Sequence, residues 1–283
     1  MQWNQKLNLA INRLIRRPTF ALRLMPSFLI IGVPKAGTTS LYNYLIRHPL
    51  VRPSLKKEVN FFSHRFYKGI NWYRIHFPLN SKYLSYLPGV KQGEYITGEA
   101  STTYIGYPHA ARRIKKYLPQ VKLIALLRNP IDRAYSHYNH RVQRESEKRS
   151  FEEAITQEPQ ILRGEFEKIL ENENYSSMKY RKNCYLSGGI YLEQLKTWFD
   201  VFPKNQILIL KSEDLFMNPH QVYQTVLNFL ELPSWQLREC EPKNQAISPY
   251  GKMNADTRQQ LREYFSPHNQ LLYEYLGVNF NWD

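Results

Sequence analysis

An α/β fold with a central parallel sheet flanked by helices is the class this sequence predicts, on three observations. Short apolar runs of strand length recur at residues 28–31, 121–127 and 206–210. Each leads into a stretch whose apolar residues fall at helical spacing, the alternation that builds a parallel sheet. The 283-residue chain also shows no internal repeat, low-complexity linker or evident boundary after its opening segment. We divide it into a basic amphipathic N-terminal segment, 1–26, and a single domain, 27–283.

The N-terminal segment mixes cations (Lys6, Arg13, Arg16, Arg17, Arg23) with apolar residues such as Leu7, Ile11, Leu14 and Ile15. It predicts a helix interrupted at Pro18 that packs on the domain or lies on an anionic membrane surface. No apolar run reaches signal-peptide or membrane-spanning length, so a cytoplasmic location is expected, with peripheral membrane contact through this segment as the alternative. The net charge of +15 argues for an anionic partner: a nucleotide, a sulfated or carboxylated glycan, nucleic acid or a lipid surface. Cations are spread along the whole length, so charge alone does not choose among these. Cys184 and Cys240 make neither a disulfide framework nor a zinc site.

The strand predicted at 28–31 runs into a turn at 32–37 and then a helix at 38–46, with Leu41, Tyr44 and Leu45 on one face and Thr38 or Thr39 as N-cap. A strand, a glycine-bearing turn and a helix start make an anion cradle, because first-turn amides lack intrahelical partners and the helix dipole favours negative charge. Lys35, Thr38, Thr39 and Ser40 add a cation and three hydroxyls. The cradle is not the ordinary NTPase loop, G-x-x-x-x-G-K-[ST]: here the lysine precedes Gly37 by two residues and Thr38 stands in its usual place.

Residues 47–53 read as a break. In 55–62 Glu58 follows Lys56 and Lys57 and precedes the pair Phe61 and Phe62, which can anchor the segment and leave Glu58 near the cradle. An exposed glutamate in a basic loop is the plainer alternative. A short aromatic helix is expected at 69–78, a strand at 94–100 ending in Gly98 and Glu99, and a basic helix from Pro108 to Leu118. The run 121–127 is the strongest buried-strand signal. It ends at Arg128, Asn129 and Pro130, with a helix from Ile131 to about Glu145. A Walker-type strand would finish in an aspartate for Mg²⁺; an arginine at the carboxyl end of a parallel strand suits a second phosphate, and Ser136 can share it. A strand-end salt bridge and a solvent-facing serine are the alternatives. Further on, 146–174 reads as a charged helical excursion divided at Pro159, followed by a helix at 188–202, a third strand at 206–210 and a turn at 212–215. A helix at 219–230, a loop at 242–253 carrying Lys243, Gly251 and Lys252, and two helices at 256–265 and 267–276 complete the chain.

Taken together these motifs resemble a known family. Pro34, Lys35, Ala36, Gly37, Thr38, Thr39 and Ser40 resemble the 5′-phosphosulfate loop of sulfotransferases, and the stretch from Arg128 to Ser136 resembles their 3′-phosphate motif. The stretch Lys57, Glu58, Val59, Asn60, Phe61 and Phe62 is similar to the segment carrying the catalytic glutamate in the heparan-sulfate branch, as is the loop at Tyr250, Gly251 and Lys252 with the helix after it. The resemblance covers 28–277. It implies a three-layer P-loop-like fold and the donor 3′-phosphoadenosine 5′-phosphosulfate. Lys35, Ala36, Gly37, Thr38, Thr39 and Ser40 are then expected on its 5′-phosphosulfate, Arg128 and Ser136 on its 3′-phosphate, and Gly251 and Lys252 over the nucleotide. It further implies in-line sulfuryl transfer to a hydroxyl or amine of a carbohydrate-type acceptor, an anionic glycan among the candidates and nucleic acid not. Glu58 is the expected base, ahead of His64, and Lys35 the residue that stabilises the leaving phosphate. No metal is expected, since Lys35 and the helix dipole take the place of Mg²⁺. The chain departs from that branch at Ala100, where the branch carries a lysine, in lacking a near partner for Cys240, and in lacking the membrane anchor of the Golgi members. A P-loop kinase using ATP and a non-catalytic polyanion-binding module are the rival readings.

Overall fold

The computed structural model describes residues 2–84, 94–237 and 251–282, with side chains from Asn8 onward. The expectations placed on Cys240, Lys243 and Tyr250 lie outside the described residues. Among the described residues five strands form one sheet: β1 (Phe28–Gly32), β2 (Val51–Pro53), β3 (Ile96–Ala100), β4 (Lys122–Leu127) and β5 (Ile207–Lys211). The helices before β4 are α1 (Gln2–Arg16), α2 (Thr38–Leu45), α3 (Ile70–Arg74), α4 (Ser81–Leu84) and α5 (Ala110–Tyr117). Those between β4 and β5 are α6 (Pro130–Val142), α7 (Phe151–Leu162), α8 (Glu165–Glu171), α9 (Met178–Asn183) and α10 (Tyr191–Phe199). After β5 come α11 (Ser212–Met217), α12 (Pro219–Phe229) and α13 (Ala255–Leu276).

The strand order is β2-β3-β1-β4-β5, and every pairing is parallel. Covered on both faces by helices, β1 and β4 are buried along nearly their whole length, which is why they read as unbroken apolar runs. The chain fills one side of β1 with β2 and β3, then crosses to the other for β4 and β5. The strand order therefore reverses at β1, and the crevice at its carboxyl end is where open α/β sheets bind ligands. Packing here is close. A Cβ on Gly98 would lie 2.5 Å from the Phe28 ring across the β1–β3 pair, so the absence of a side chain sets that approach.

Several elements differ from expectation. Residues 51–53 are an edge strand rather than a break; with Arg52 and Pro53 exposed, β2 carries no apolar period to read. Residues 212–217 form a helix rather than a turn. Neither Pro159 nor Pro267 ends its helix: α7 runs through the first to Leu162, and α13 is one continuous helix through the second. Each proline removes one backbone bond, but in α13 the buried residues Leu261, Phe265, Asn269 and Leu272 lie on both sides of Pro267 and hold one face against the domain.

A bend at 17–22 follows α1, as Pro18 predicts. Two of its cations turn inward: Arg13 donates from Nε to His76 Nε2 (3.2 Å) and Arg16 donates to the Ile75 carbonyl (3.4 Å), while Ile11, Leu14 and Ile15 are exposed. His76 is fully buried, and its Nδ1 faces the Trp72 carbonyl at 2.9 Å. Burial first and the Arg13 charge second push its pKa down to about 4. A histidine whose folded pKa is depressed contributes stability that is present above its ordinary pKa and is lost as pH falls through the folded one. Hydrogen exchange within residues 8–16, corrected for intrinsic rates, is therefore expected to rise several-fold between pH 6.5 and about pH 4. Protection that stays constant across that window would contradict the Arg13–His76 contact as the tether.

Candidate active site

The cradle lies where β1 leaves the sheet. Gly32 permits the exit because a Cβ there would fall 2.4 Å from the Ile105 side chain, and Val33 N–H extends the pairing by donating to the Leu126 carbonyl (2.8 Å). Two left-handed residues then turn the chain: Lys35 at φ 73° and Gly37 at φ 84°. Glycine takes that region without steric penalty and lysine does not, so Lys35 is held there by its surroundings. Gly37, not Thr38 or Thr39, is the N-cap of α2, and no side chain caps that helix start. The expected hydroxyl cap yields because the turn needs a positive φ at this position, and a Cβ on Gly37 would meet the Phe216 ring at 3.1 Å.

Both loop carbonyls that flank this bend are held from neighbouring strands. Arg128, at the end of β4, donates from Nη1 to the Lys35 carbonyl (2.7 Å), and Ser212, just past β5, donates to the Ala36 carbonyl (2.9 Å). Among the described residues Arg128 forms no strand-end salt bridge. Its own carbonyl accepts from Tyr191 OH (2.7 Å), and the next amide, Asn129 N–H, donates to Glu213 Oε1 (2.9 Å). Asn129 caps α6 by accepting from the Ile131 and Asp132 amides, and Ser136 is buried farther along that helix. Tyr135, its neighbour, donates to the Gly251 carbonyl (2.9 Å), which brings the C-terminal loop against α6 while Gly251 and Lys252 stay exposed.

The electrostatics around the loop are cationic. Lys35 is half-buried, and its pKa is lowered by burial first, then by the Arg128 and Arg144 charges. Among the described residues neither Lys35 nor Arg128 is paired with a carboxylate. On the same helix His140 is pushed down to about 4 by burial, Lys35, Arg144 and Arg141, while the Glu58 carboxylate pulls the other way. Lys35 and Glu58 therefore shift the pKa of one imidazole in opposite senses. Glu58 itself is half-buried and paired with Lys57 Nζ at 3.1 Å. Sequence reasoning missed His140, although it stands one turn beyond Ser136 and shares its face. Arg144 follows the end of α6 and gave no signal.

What fixes the Glu58 segment is Glu99, at the end of β3 and fully buried. Its Oε2 accepts from Val59 N–H (2.9 Å) and Ser101 OH (2.6 Å), and its Oε1 from Tyr73 OH (2.8 Å) and Tyr104 OH (2.7 Å). Burial pushes this carboxyl up, and the four hydrogen bonds oppose the shift. Ala100, the position at which the chain departs from the branch it resembles, is buried and donates its amide to the Lys57 carbonyl (3.0 Å). His64 is pushed down to about 3 by burial and nearby arginines, so it carries no charge at neutral pH.

Comparison with known proteins bears on this arrangement. The family model described as a sulfotransferase domain matches residues 25–265. A solved sulfotransferase from Alicyclobacillus acidocaldarius superposes with a TM-score of 0.68 at 30% identity, over 91% of this chain and 98% of that one. The bifunctional heparan sulfate N-deacetylase/N-sulfotransferase 1 of Mus musculus is 32% identical over 88% of this chain and 30% of its own length. The membrane-associated sulfotransferase kil1 of Dictyostelium discoideum is 28% identical over 92% of this chain and 67% of its own length. The chain thus spans less than a third of the heparan sulfate relatives it matches. Its architecture is the three-layer P-loop-like fold that the resemblance implied.

Glu99→Ala leaves three hydroxyls and the Val59 amide without their acceptor. A stability loss of at least about 3 kcal/mol is expected in urea denaturation, since each buried polar group left unsatisfied costs about 1–3 kcal/mol. A loss below about 1 kcal/mol would mean that Glu99 does not organise this segment.

Proposed function

Because the chain belongs to the sulfotransferase domain family, we propose that it moves a sulfuryl group from 3′-phosphoadenosine 5′-phosphosulfate to a hydroxyl, or an amine, of a carbohydrate-type acceptor. One observation carries this reading. Lys35 and Arg128, neither paired with a carboxylate among the described residues, meet through the Lys35 carbonyl at the switch point of the sheet. A donor with phosphate at both ends of a nucleoside matches such a pair. In an ATP-dependent kinase a lysine would stand at Thr38 and an acidic residue at Arg128. The relatives named for heparan sulfate support a glycan acceptor.

In this reading Lys35, Ala36, Gly37, Thr38, Thr39 and Ser40 surround the 5′-phosphosulfate. Arg128 and Ser136 take the 3′-phosphate, and Gly251 and Lys252 lie over the nucleotide. Glu58 accepts the proton of the acceptor as its oxygen or nitrogen bonds to sulfur. The bond from sulfur to the 5′-phosphate oxygen breaks in line, and that oxygen leaves with the electron pair. Lys35 and the uncapped start of α2 hold the charge that develops there; losing one such donor typically lowers the rate ~10²–10³-fold. Among the described residues no helix is long and apolar enough to cross a membrane. The exposed Ile11, Leu14 and Ile15 support peripheral membrane contact through α1.

Glu58→Gln is expected to lower sulfuryl transfer by about 10²–10⁴-fold and to leave adenosine 3′,5′-bisphosphate affinity unchanged by calorimetry. Unaltered turnover would remove Glu58 as the base. Ser136→Ala tests the nucleotide assignment more cleanly than a change at Arg128, which also holds the cradle. It is expected to weaken the bisphosphate about 3- to 10-fold and leave AMP binding as it was. Equal weakening of both ligands would move the 3′-phosphate elsewhere.

A further inference from the structure

Charge is unevenly divided along this chain. Residues 1–93 hold fifteen lysines and arginines and a single acid, Glu58, whereas residues 94–283 hold twenty-four and twenty-three. Almost all of the net charge of +15 therefore belongs to the first third, which carries α1, the cradle and the Glu58 segment. The even spread of cations hides this, because it is acids that are scarce there.

Within that third, α1 is inverted for a helix in water. Arg13 and Arg16 face the domain, while Ile11, Leu14 and Ile15, spaced i, i+3, i+4 on one stripe, are 44%, 59% and 69% exposed. The helix adjoins the Glu58 segment. Arg13 lies over the Trp72 ring at 5.4 Å, and Lys68 reaches the same ring at 5.6 Å. Burial first and the Arg65 charge second lower the Arg13 pKa, which sets Arg65 in the same neighbourhood. Arg65 donates from Nη1 to the Val59 carbonyl (2.9 Å), closing the segment that starts at Glu58, and Tyr67 and Lys68 form its exposed tip. Just before the tip, Ser63 and His64 line a cleft that also includes Pro34, the residue before Lys35. Three residues carry the chain from His64 to Tyr67, a span of at most ~11 Å.

Three kinds of occupant could cover such a face, and they differ in what they satisfy. A soluble polyanion pairs with the cations and leaves the aliphatic stripe in water. A second copy covers the stripe but sets like charge on like charge, since an isologous contact places the same patch on both sides. An anionic bilayer satisfies both. Aliphatic side chains enter the acyl boundary, a tyrosine sits at headgroup level, and each lysine or arginine near the surface adds attraction.

We propose that α1 and the tip at Tyr67 and Lys68 dock on an anionic bilayer, which sets the mouth of the cleft at headgroup level, and that the acceptor is a hydroxyl of a membrane-borne sugar headgroup. The inference rests on the sulfotransferase reading and deepens it by naming where the acceptor resides. The transfer is unchanged: the headgroup oxygen bonds to sulfur, its proton passes to Glu58, and the 5′-phosphate oxygen leaves with the electron pair.

Vesicles of phosphatidylcholine and phosphatidylglycerol, seeded with glucosyl- and galactosyl-diacylglycerol, supply the surface and the headgroups; methyl β-glucoside and methyl β-galactoside are the soluble counterparts. The protein is expected to sediment with these vesicles and not with phosphatidylcholine alone, and to sulfate at least one glycolipid with a KM at least about tenfold below that of its soluble counterpart. Ile11→Ser, Leu14→Ser and Ile15→Ser together are expected to lower vesicle partition at least about tenfold and to abolish that KM advantage. Lys68→Glu is expected to lower partition at least about fivefold. Adenosine 3′,5′-bisphosphate affinity stays constant in each variant and reports that the domain is folded. Sulfate entering neither glycolipid, preference for the soluble glycosides, or sedimentation that the triple variant leaves unchanged overturns the proposal and leaves the parent reading intact. So does retention on heparin without vesicle binding, or a dimer that the triple variant dissociates. Failure of the unaltered protein to bind the bisphosphate overturns both.

Discussion

The Arg128 guanidinium reaches the Lys35 carbonyl because β1 and β4 hydrogen-bond in parallel, so the chain leaves both strands at the same edge of the sheet. That one contact joins the two motifs on which the reading of this protein turns. A loop with two left-handed residues and no capping side chain has few local means of holding its shape. Its carbonyls are instead held from β4 and from just beyond β5, while Val33 extends the β1–β4 ladder by one bond. The cradle is thus a property of three strand ends. Its precision is inherited from the buried sheet beneath.

On the other side of β1 the same logic holds with opposite charge. Glu99 ends β3 as Arg128 ends β4, but it is fully buried and its carboxylate is spent on internal donors. It pins Val59, the residue after Glu58, so the segment bearing the candidate base is set by the position of β3. Fully satisfied polar networks of this kind rigidify what they touch. Glu58 sits immediately outside the network, half-buried and exposed to the cations around the cradle.

Much of this was legible in the sequence where burial is two-sided or a motif needs particular residue types. The runs at 28–31 and 121–127 were readable because a strand covered on both faces has no polar positions to interrupt it. The edge strand β2 was not, since exposed Arg52 and Pro53 give it no pattern. Pro159 and Pro267 misled because tertiary packing carried their helices past a local break. Within the candidate site, Lys35, Arg128 and Ser136 were proposed from type and position, and the structure joins the first two through the Lys35 carbonyl. The N-cap was misplaced because the backbone's need for a left-handed turn outranked the hydroxyl preference at a helix start. Glu99 was noticed as a strand end but not as an anchor, because its four donors come from Val59, Tyr73, Ser101 and Tyr104, partly distant in the chain.

Lys35, Arg128 and Arg144 stand close enough together to depress the Lys35 pKa, and among the described residues no acid neutralises Lys35 or Arg128. Mutual repulsion of this kind is relieved by any anion that enters, spent or fresh. If both ends of the donor are gripped as proposed, the desulfated nucleotide left after transfer keeps both of its phosphates and nearly all of that grip. The contacts that draw the donor in then also oppose departure of the by-product, which competes with fresh donor for the same cations.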